Sequence, residues 1–242
     1  KERAAKKHQK TITVKEVNKA PVLGPIGNKT VNEGSTLTLT ATATDADLPV
    51  QGLTYSLAPG APAGASIHPT SGLFTWTPSE GPGASPYNVT VQVNDGVVTT
   101  SETIGITVLN VAPTVSVILP ATVQEGVSGT YQIHVQDPGS QDTHTIQINW
   151  GDGSALETFT STANAAAGLS LSRTHTYADG GTYTMAVSVT DDEGAVGQAS
   201  ASVTVQNVAP TVTVTPPTQT KQYSDPITPI VITATDVTTD RL

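Results

Sequence analysis

The sequence predicts an all-β protein built of tandem antiparallel β-sandwiches, and three observations carry that prediction. Apolar residues alternate with threonine or serine at a period of two in many short runs, whereas helical periodicity does not recur. Glycine, proline and aspartate separate the runs at short intervals. One phrase occurs three times, at Ile12–Pro21, Ile106–Pro113 and Val203–Pro210: an alternating strand, then Asn, a variable residue, Ala and Pro. Proline fixes its own φ and donates nothing to a ladder, so each phrase ends a strand and stiffens the passage to the next module.

These phrases divide the chain. Residues 1–20 read as a tail followed by the last strand of a preceding module, Thr11 to Val17. Residues 21–111 and 112–208 read as two complete sandwiches, and 209–242 as the start of a third, truncated one. In the first module Leu37, Leu39, Ala41 and Ala43 face inward along one strand from Thr36 to Thr44. Leu53/Tyr55/Leu57, Phe74/Trp76, Tyr87/Val89/Val91/Val93 and Ile104/Ile106/Val108 follow in the same phase. The second module repeats the scheme with Tyr131/Ile133/Val135, Ile146/Ile148/Trp150, Leu169/Leu171, Tyr183/Met185/Val187/Val189 and Val203/Val205. Ala163 to Gly168 is too short for a stable helix and reads as a loop. Two such modules of about 90–100 residues suit the antiparallel sandwich.

Composition narrows the function. The 242 residues carry 20 acidic and 11 basic side chains, a net charge of −9. From Asn32 onward only Arg173, Lys221 and Arg241 are basic, which leaves no positive surface for phosphates and argues against nucleic acid. No cysteine is present, so disulfides, thiol catalysis and Cys-ligated zinc are excluded. No apolar run reaches membrane-spanning length. Five of the first ten residues are basic, unlike the rest of the chain; such a head could touch anionic lipid or cell-wall polymer.

The first module carries Val31–Ser35 (Val-Asn-Glu-Gly-Ser), Ala43–Asp47, Pro62–Ser66, Gly72–Pro78 and Val93–Gly96, and with these it resembles the bacterial cadherin-like (dystroglycan-type, "putative Ig") repeats. The second carries Asn149–Ser154 (Asn-Trp-Gly-Asp-Gly-Ser), His175-Thr-Tyr177, Gly181-Thr-Tyr183 and Val189-Thr-Asp191, and resembles a PKD domain. The resemblance implies tandem Ig-like/cadherin-like antiparallel β-sandwiches arranged as an elongated rod. It also implies a modular extracellular protein of a bacterial cell surface, or the non-catalytic part of a secreted enzyme.

Strand phase then places the acids. The inward series Ala41, Ala43 continues to Asp45; Ile133, Val135 to Asp137; Ile232, Ala234 to Asp236. The late strands end likewise, at Asp95 and Asp191. Carboxylates should therefore converge where the preceding linker enters, beside Glu16 and Asn18, Asn110 or Asn207, with Asp47 adding to the first group. The first turn of the module above contributes Glu33 or Glu125. Like charges this close either raise one another's pKa or bind a cation, and Ca²⁺ suits an irregular oxygen set better than Mg²⁺ or Zn²⁺. True cadherins use the same logic, but these linkers lack their Asp-x-Asn-Asp-Asn string, and a single Asp137 stands in place of a pair. Asp and Asn also favour ordinary turns.

The pairs Asp45/Asp47 and Asp191/Asp192 could serve glycoside hydrolysis, but no aromatic cluster accompanies them, and Trp76 and Trp150 fall on inward phases. A three-histidine zinc site is disfavoured because His134 falls on the outward phase. No nucleophile elbow, phosphate loop or dinucleotide fingerprint occurs. The expected function is non-catalytic: calcium-stiffened modules that space and present binding domains for adhesion at a cell surface. Neighbouring modules of the same longer chain, and a protein or polysaccharide ligand, are the expected partners. Two alternatives stand beside it, an accessory region of a secreted polysaccharide- or protein-degrading enzyme and a structural component of a surface layer or appendage.

Overall fold

The computed structural model describes residues 17–79, 86–161 and 165–237. Two compact units emerge, with their main boundary between Leu109 and Asn110. The expected strand at Thr11 to Val17 and the candidate ligand Glu16 lie outside the described residues, apart from Val17 itself.

The first unit holds β1 (Val22–Leu23), β2 (Lys29–Asn32), β3 (Leu37–Thr40), β4 (Ala43–Thr44), β5 (Thr54–Leu57), β6 (Ser66–Ile67), β7 (Leu73–Trp76), β8 (Tyr87–Asn94) and β9 (Thr99–Leu109). A four-stranded sheet in the order β2-β9-β8-β5 faces a three-stranded sheet, β3-β7-β6. Val89, Val91, Val93, Ile104 and Ile106 from the first sheet meet Phe74 and Trp76 from the second in one buried cluster. Each fully buried Val or Ile contributes about 1.5–3 kcal/mol, so this layer carries the unit. Trp76 also donates Nε1–H to the Ala63 carbonyl at 3.1 Å, which satisfies its polar edge.

One strand differs from the sequence expectation. The run from Thr36 to Thr44 is not continuous: β3 pairs with β7, and β4 pairs instead with β1. The break falls at Ala41, whose carbonyl presses against Gly72 so closely that a Cβ there would lie 2.3 Å away. Gly72 also has φ +68°, so glycine alone lets the strand leave one sheet for another here.

The second unit holds β10 (Thr114–Ile118), β11 (Val123–Gln124), β12 (Ser128–Gln136), β13 (His144–Asn149), β14 (Glu157–Ser161), β15 (Leu169–Thr176), β16 (Gly181–Thr190) and β17 (Val196–Gln206). Sheet β10-β12-β15 packs on β11-β17-β16-β13-β14. Each unit places a short strand parallel to its last one: β2 on β9 and β11 on β17. Trp150 is buried against Tyr131 and stacks on His175 at 4.4 Å. Within the Ala-rich stretch, Ala165–Ala167 form a single 3₁₀ turn rather than an irregular loop, and residues 162–164 lie outside the described set. Beyond Pro210, β18 (Thr211–Thr215) and β19 (Val231–Thr235) pair as an exposed antiparallel ribbon.

Candidate metal centre

The first unit's entry end is built from strand ends. β4 runs on to Asp45 and Asp47, and β8 ends just before Asp95. Asn18 donates Nδ2–H to Asp95 Oδ2 at 2.9 Å, and the Lys19 N–H donates to Asp47 Oδ2 at 2.8 Å. Asp45 Oδ1 accepts from the Asp47 N–H, and Asn18 Oδ1 accepts from Gln51. Backbone donation from Val98, joined by Asn18 and Val97, holds the Asp95 carboxyl below its ordinary value. The structure thus joins Asn18 to Asp95 directly, and Lys19, Asp47 and Asp45 in a second chain of bonds.

The second unit repeats half of this device. Asn110 donates Nδ2–H to Asp191 Oδ2 at 2.9 Å, and Asp191 Oδ1 accepts from the Ala195 N–H at 2.7 Å. Asp137, in the register of Asp45, differs. Its Oδ1 accepts from the Gly139 N–H, and its Oδ2 lies 3.0 Å from His144 Nε2, with both side chains fully buried.

Two glutamates occupy the opposite ends. Glu33 and Glu125 follow β2 and β11 and are buried. Their N–H groups donate to the Leu109 and Gln206 carbonyls, which continues the parallel pairing to the end of each unit. Glu125 Oε1 accepts from the Val208 N–H at 2.6 Å, so it seats the outgoing linker. Gly180 makes room: a Cβ there would lie 3.0 Å from both Glu125 Oε2 and Asn207 Cβ. Asn207 itself is exposed. Asp236 caps the N–H of Val237, whose side chain packs on Gly126. The structure thus brings Asn207 beside Glu125, but no described hydrogen bond links Asn207 to Asp236.

Among the described residues Glu33, Asp47, Asp95, Glu125, Asp137, Asp142 and Asp191 are buried, seven carboxylates against a single buried His144. Among the described residues no Lys or Arg is buried. Asp45 Oδ2, Gln51 Oε1, Asn110 Oδ1 and Glu125 Oε2 are buried without a hydrogen-bond partner among the described residues. All four are oxygens, and three belong to residues that strand phase had singled out. A hard cation is the chemistry such a donor set fits.

Sequence reasoning missed one constellation. Asp137, Asp142 and His144 bring one ligand atom each to within 4.8 Å of one another, and Asp142, Asp192 and Glu193 do the same. Both sets centre on Asp142, in the loop between β12 and β13. Burial pushes the Glu193 carboxyl up, helped by the charges of Asp142 and Asp192. The available signal was the string Asp137-Pro-Gly-Ser-Gln-Asp142-Thr-His144, which places two carboxylates and an imidazole on one short loop. The remaining histidines of this unit are structural: His134 bonds Ser170, and His175 Nε2 bonds Asp152 Oδ2 at 2.7 Å. Burial acts to raise the Asp152 pKa, but bonds from Ser154 and His175 prevail and hold it low. Tyr177 Oη donates to the Trp150 carbonyl, and burial pushes that hydroxyl well above its ordinary value.

Comparison with known proteins divides the chain where the fold does. Residues 20–109 match the family model "Putative Ig domain", and residues 110–206 match "PKD domain". A chitinase A from Pseudoalteromonas piscicida is 33% identical over 132 residues, which cover 52% of this chain and 16% of the chitinase. The chain thus spans less than a fifth of that relative's length. Among solved structures, the PKD domain of an M14-like peptidase from a Thermoplasmatales archaeon is 26% identical, covers 40% of this chain and is itself covered to 97%, with a TM-score of 0.36. The PKD1 domain of Vibrio anguillarum Epp is 20% identical, covers 41% of this chain and is covered to 99%, with a TM-score of 0.31. By the two family models, residues 20–206 match a putative Ig domain followed by a PKD domain.

Proposed function

We propose that this chain is a non-catalytic extracellular segment that spaces and presents neighbouring domains of a longer protein, with Ca²⁺ neutralising the acidic ends of its modules. The observation that carries the reading is a set of buried oxygens without a hydrogen-bond partner among the described residues, on Asp45, Gln51, Asn110 and Glu125, with no buried Lys or Arg among those residues. An ionised carboxylate is costly to bury unless it is paired or coordinates a metal. Here the acids gather where the chain enters or leaves each module, so the bound ion and the linker direction are coupled. Asp95, Asp191 and Glu125 already hold the linker residues Asn18, Asn110 and Val208 by hydrogen bonds. Asp45, Asp47 and Asp95 with Asn18, Asp137 and Asp191 with Asn110, and Glu125 with Asn207 would supply the oxygens.

Small-angle scattering with Ca²⁺ and with chelator tests the reading. A larger spread of conformations without Ca²⁺ is expected, and identical curves would count against it.

A second reading, an accessory region of a secreted polysaccharide-degrading enzyme, is favoured by the stretch shared with chitinase A. Retention of the purified chain on insoluble chitin would support it. Passage without retention would leave spacing as the role. Among the described residues no helix is long and apolar enough to cross a membrane.

A further inference from the structure

The loop from Asp137 to His144 carries chemistry that an oxygen-only calcium reading leaves unused. His144 is the first residue of β13 and 1% exposed, so its imidazole is held by the strand and shielded from water. Asp137, as a carboxylate, only accepts, which makes Nε2 the protonated nitrogen and leaves the lone pair on Nδ1. Nδ1 is buried and has no hydrogen-bond donor against it among the described residues. A histidine whose one nitrogen is held by a carboxylate while the other offers a buried lone pair has the form of a metal ligand with its orienting partner.

The surroundings supply the rest. Gly139 lies under the Asp142 carboxylate, where a Cβ would come within 2.2 Å of Oδ2, so only glycine allows this carboxylate its place. Gly139 also donates its N–H to Asp137, which ties both acids to one turn. Asp192 accepts from the Thr143 N–H at 2.9 Å, so the β16–β17 hairpin is fastened to the same loop. Asp192 and Glu193 are exposed, whereas Asp137, Asp142 and His144 are buried, and Asp142 is common to both sets. The exposed pair forms an acidic approach, and Asp142 leads inward from it.

We propose that Asp142 and the Nδ1 lone pair of His144 bind one divalent cation of the zinc class, with Asp137 holding the imidazole from its Nε2 side. Two carboxylates and a neutral imidazole around a divalent ion sum to no net charge, the condition under which burial is least costly. Zinc takes few ligands at about 2.0–2.2 Å and accepts an imidazole nitrogen with carboxylate oxygens. Calcium requires about six to eight oxygens, which this buried, nitrogen-bearing set does not offer. The site shares Asp137 with the calcium reading, but its failure would leave the unpartnered oxygens of Asp45, Asn110 and Glu125 where they are.

The test is calorimetric titration of the full chain, first stripped by chelator, with Zn²⁺ alone and then in competition with Ca²⁺. One equivalent of Zn²⁺ should bind, with Ca²⁺ unable to displace it at equal concentration. Asp142→Asn should weaken binding about a hundredfold, and His144→Gln by about tenfold or more. Because a buried variant could fail to fold, the unaltered chain loaded with Co²⁺ provides a second readout, a visible absorption band of low coordination number that Zn²⁺ abolishes. Absence of stoichiometric binding, displacement by equimolar Ca²⁺, or unchanged affinity in a folded His144→Gln variant would overturn the proposal.

Discussion

The entry ends of the two modules start from the same plan and neutralise their acids differently. In both, a linker asparagine donates to the aspartate at the end of a late strand: Asn18 to Asp95 and Asn110 to Asp191. In the first module the other acids are met by backbone and amide N–H groups, from Lys19 to Asp47 and from Asp47 to Asp45. In the second, the residue in the register of Asp45 is Asp137, which is fully buried and met by His144. A further acid, Asp142, is buried in the same loop. The lesson is that strand register fixes where a carboxylate goes, while the loop that follows decides whether amides, an imidazole or an ion answers it.

The largest effects should come from beneath these ends. Trp150 packs on Tyr131 and His175, and Trp76 on Tyr87. Truncating either to Ala should cost about 3–5 kcal/mol, with only the transition of the altered module shifting in calorimetry. If both transitions moved together, the two modules would not be independent in stability.

The next effect separates the two ends. His144→Ala removes the partner of buried Asp137 and should cost the metal-free second module about 1.5–3 kcal/mol in denaturant unfolding. The first module should not respond, because among the described residues no histidine meets its acids. A loss below the experimental scatter would mean that Asp137 finds another donor. Asn110→Ala, which deletes a single bond to Asp191, should cost only about 1 kcal/mol.

The smallest effect is a pH dependence in the first module. Asp95 has a depressed folded pKa, so its stabilisation is present above the unfolded value near 3.8 and is lost as pH falls through the lower folded value. Asp95→Asn should flatten the acid limb of the first module's melting curve and leave the second module's limb as it was. An unchanged limb would assign the acid sensitivity to other groups, such as Glu102, which backbone donation from Gly27 and Ile26 holds low.

Much of this was legible in the sequence. The period of two placed Trp76, Trp150 and the valines of β8 and β16 inside, and carried Asp95, Asp137 and Asp191 to the ends of their strands. The break at Ala41 was not legible, because it depends on Gly72 approaching from a distant hairpin. Asp142 and His144 escaped for a related reason. His144 heads the inward series of Ile146, Ile148 and Trp150, but Asp142 lies on no strand series, and their meeting depends on how the turn around Gly139 folds back. Gln51, which reaches Asn18 from a loop with no periodicity, escaped likewise.

The central claim is that the buried acids of these modules call for a cation, and scanning calorimetry with Ca²⁺ and with chelator at equal ionic strength tests it most directly. The account predicts that saturating Ca²⁺ raises the melting temperature, by about 2.7 kcal/mol of added stability when free Ca²⁺ is a hundred times its dissociation constant. It also predicts that Glu125→Gln reduces the gain. Superimposable thermograms with and without Ca²⁺ would contradict it.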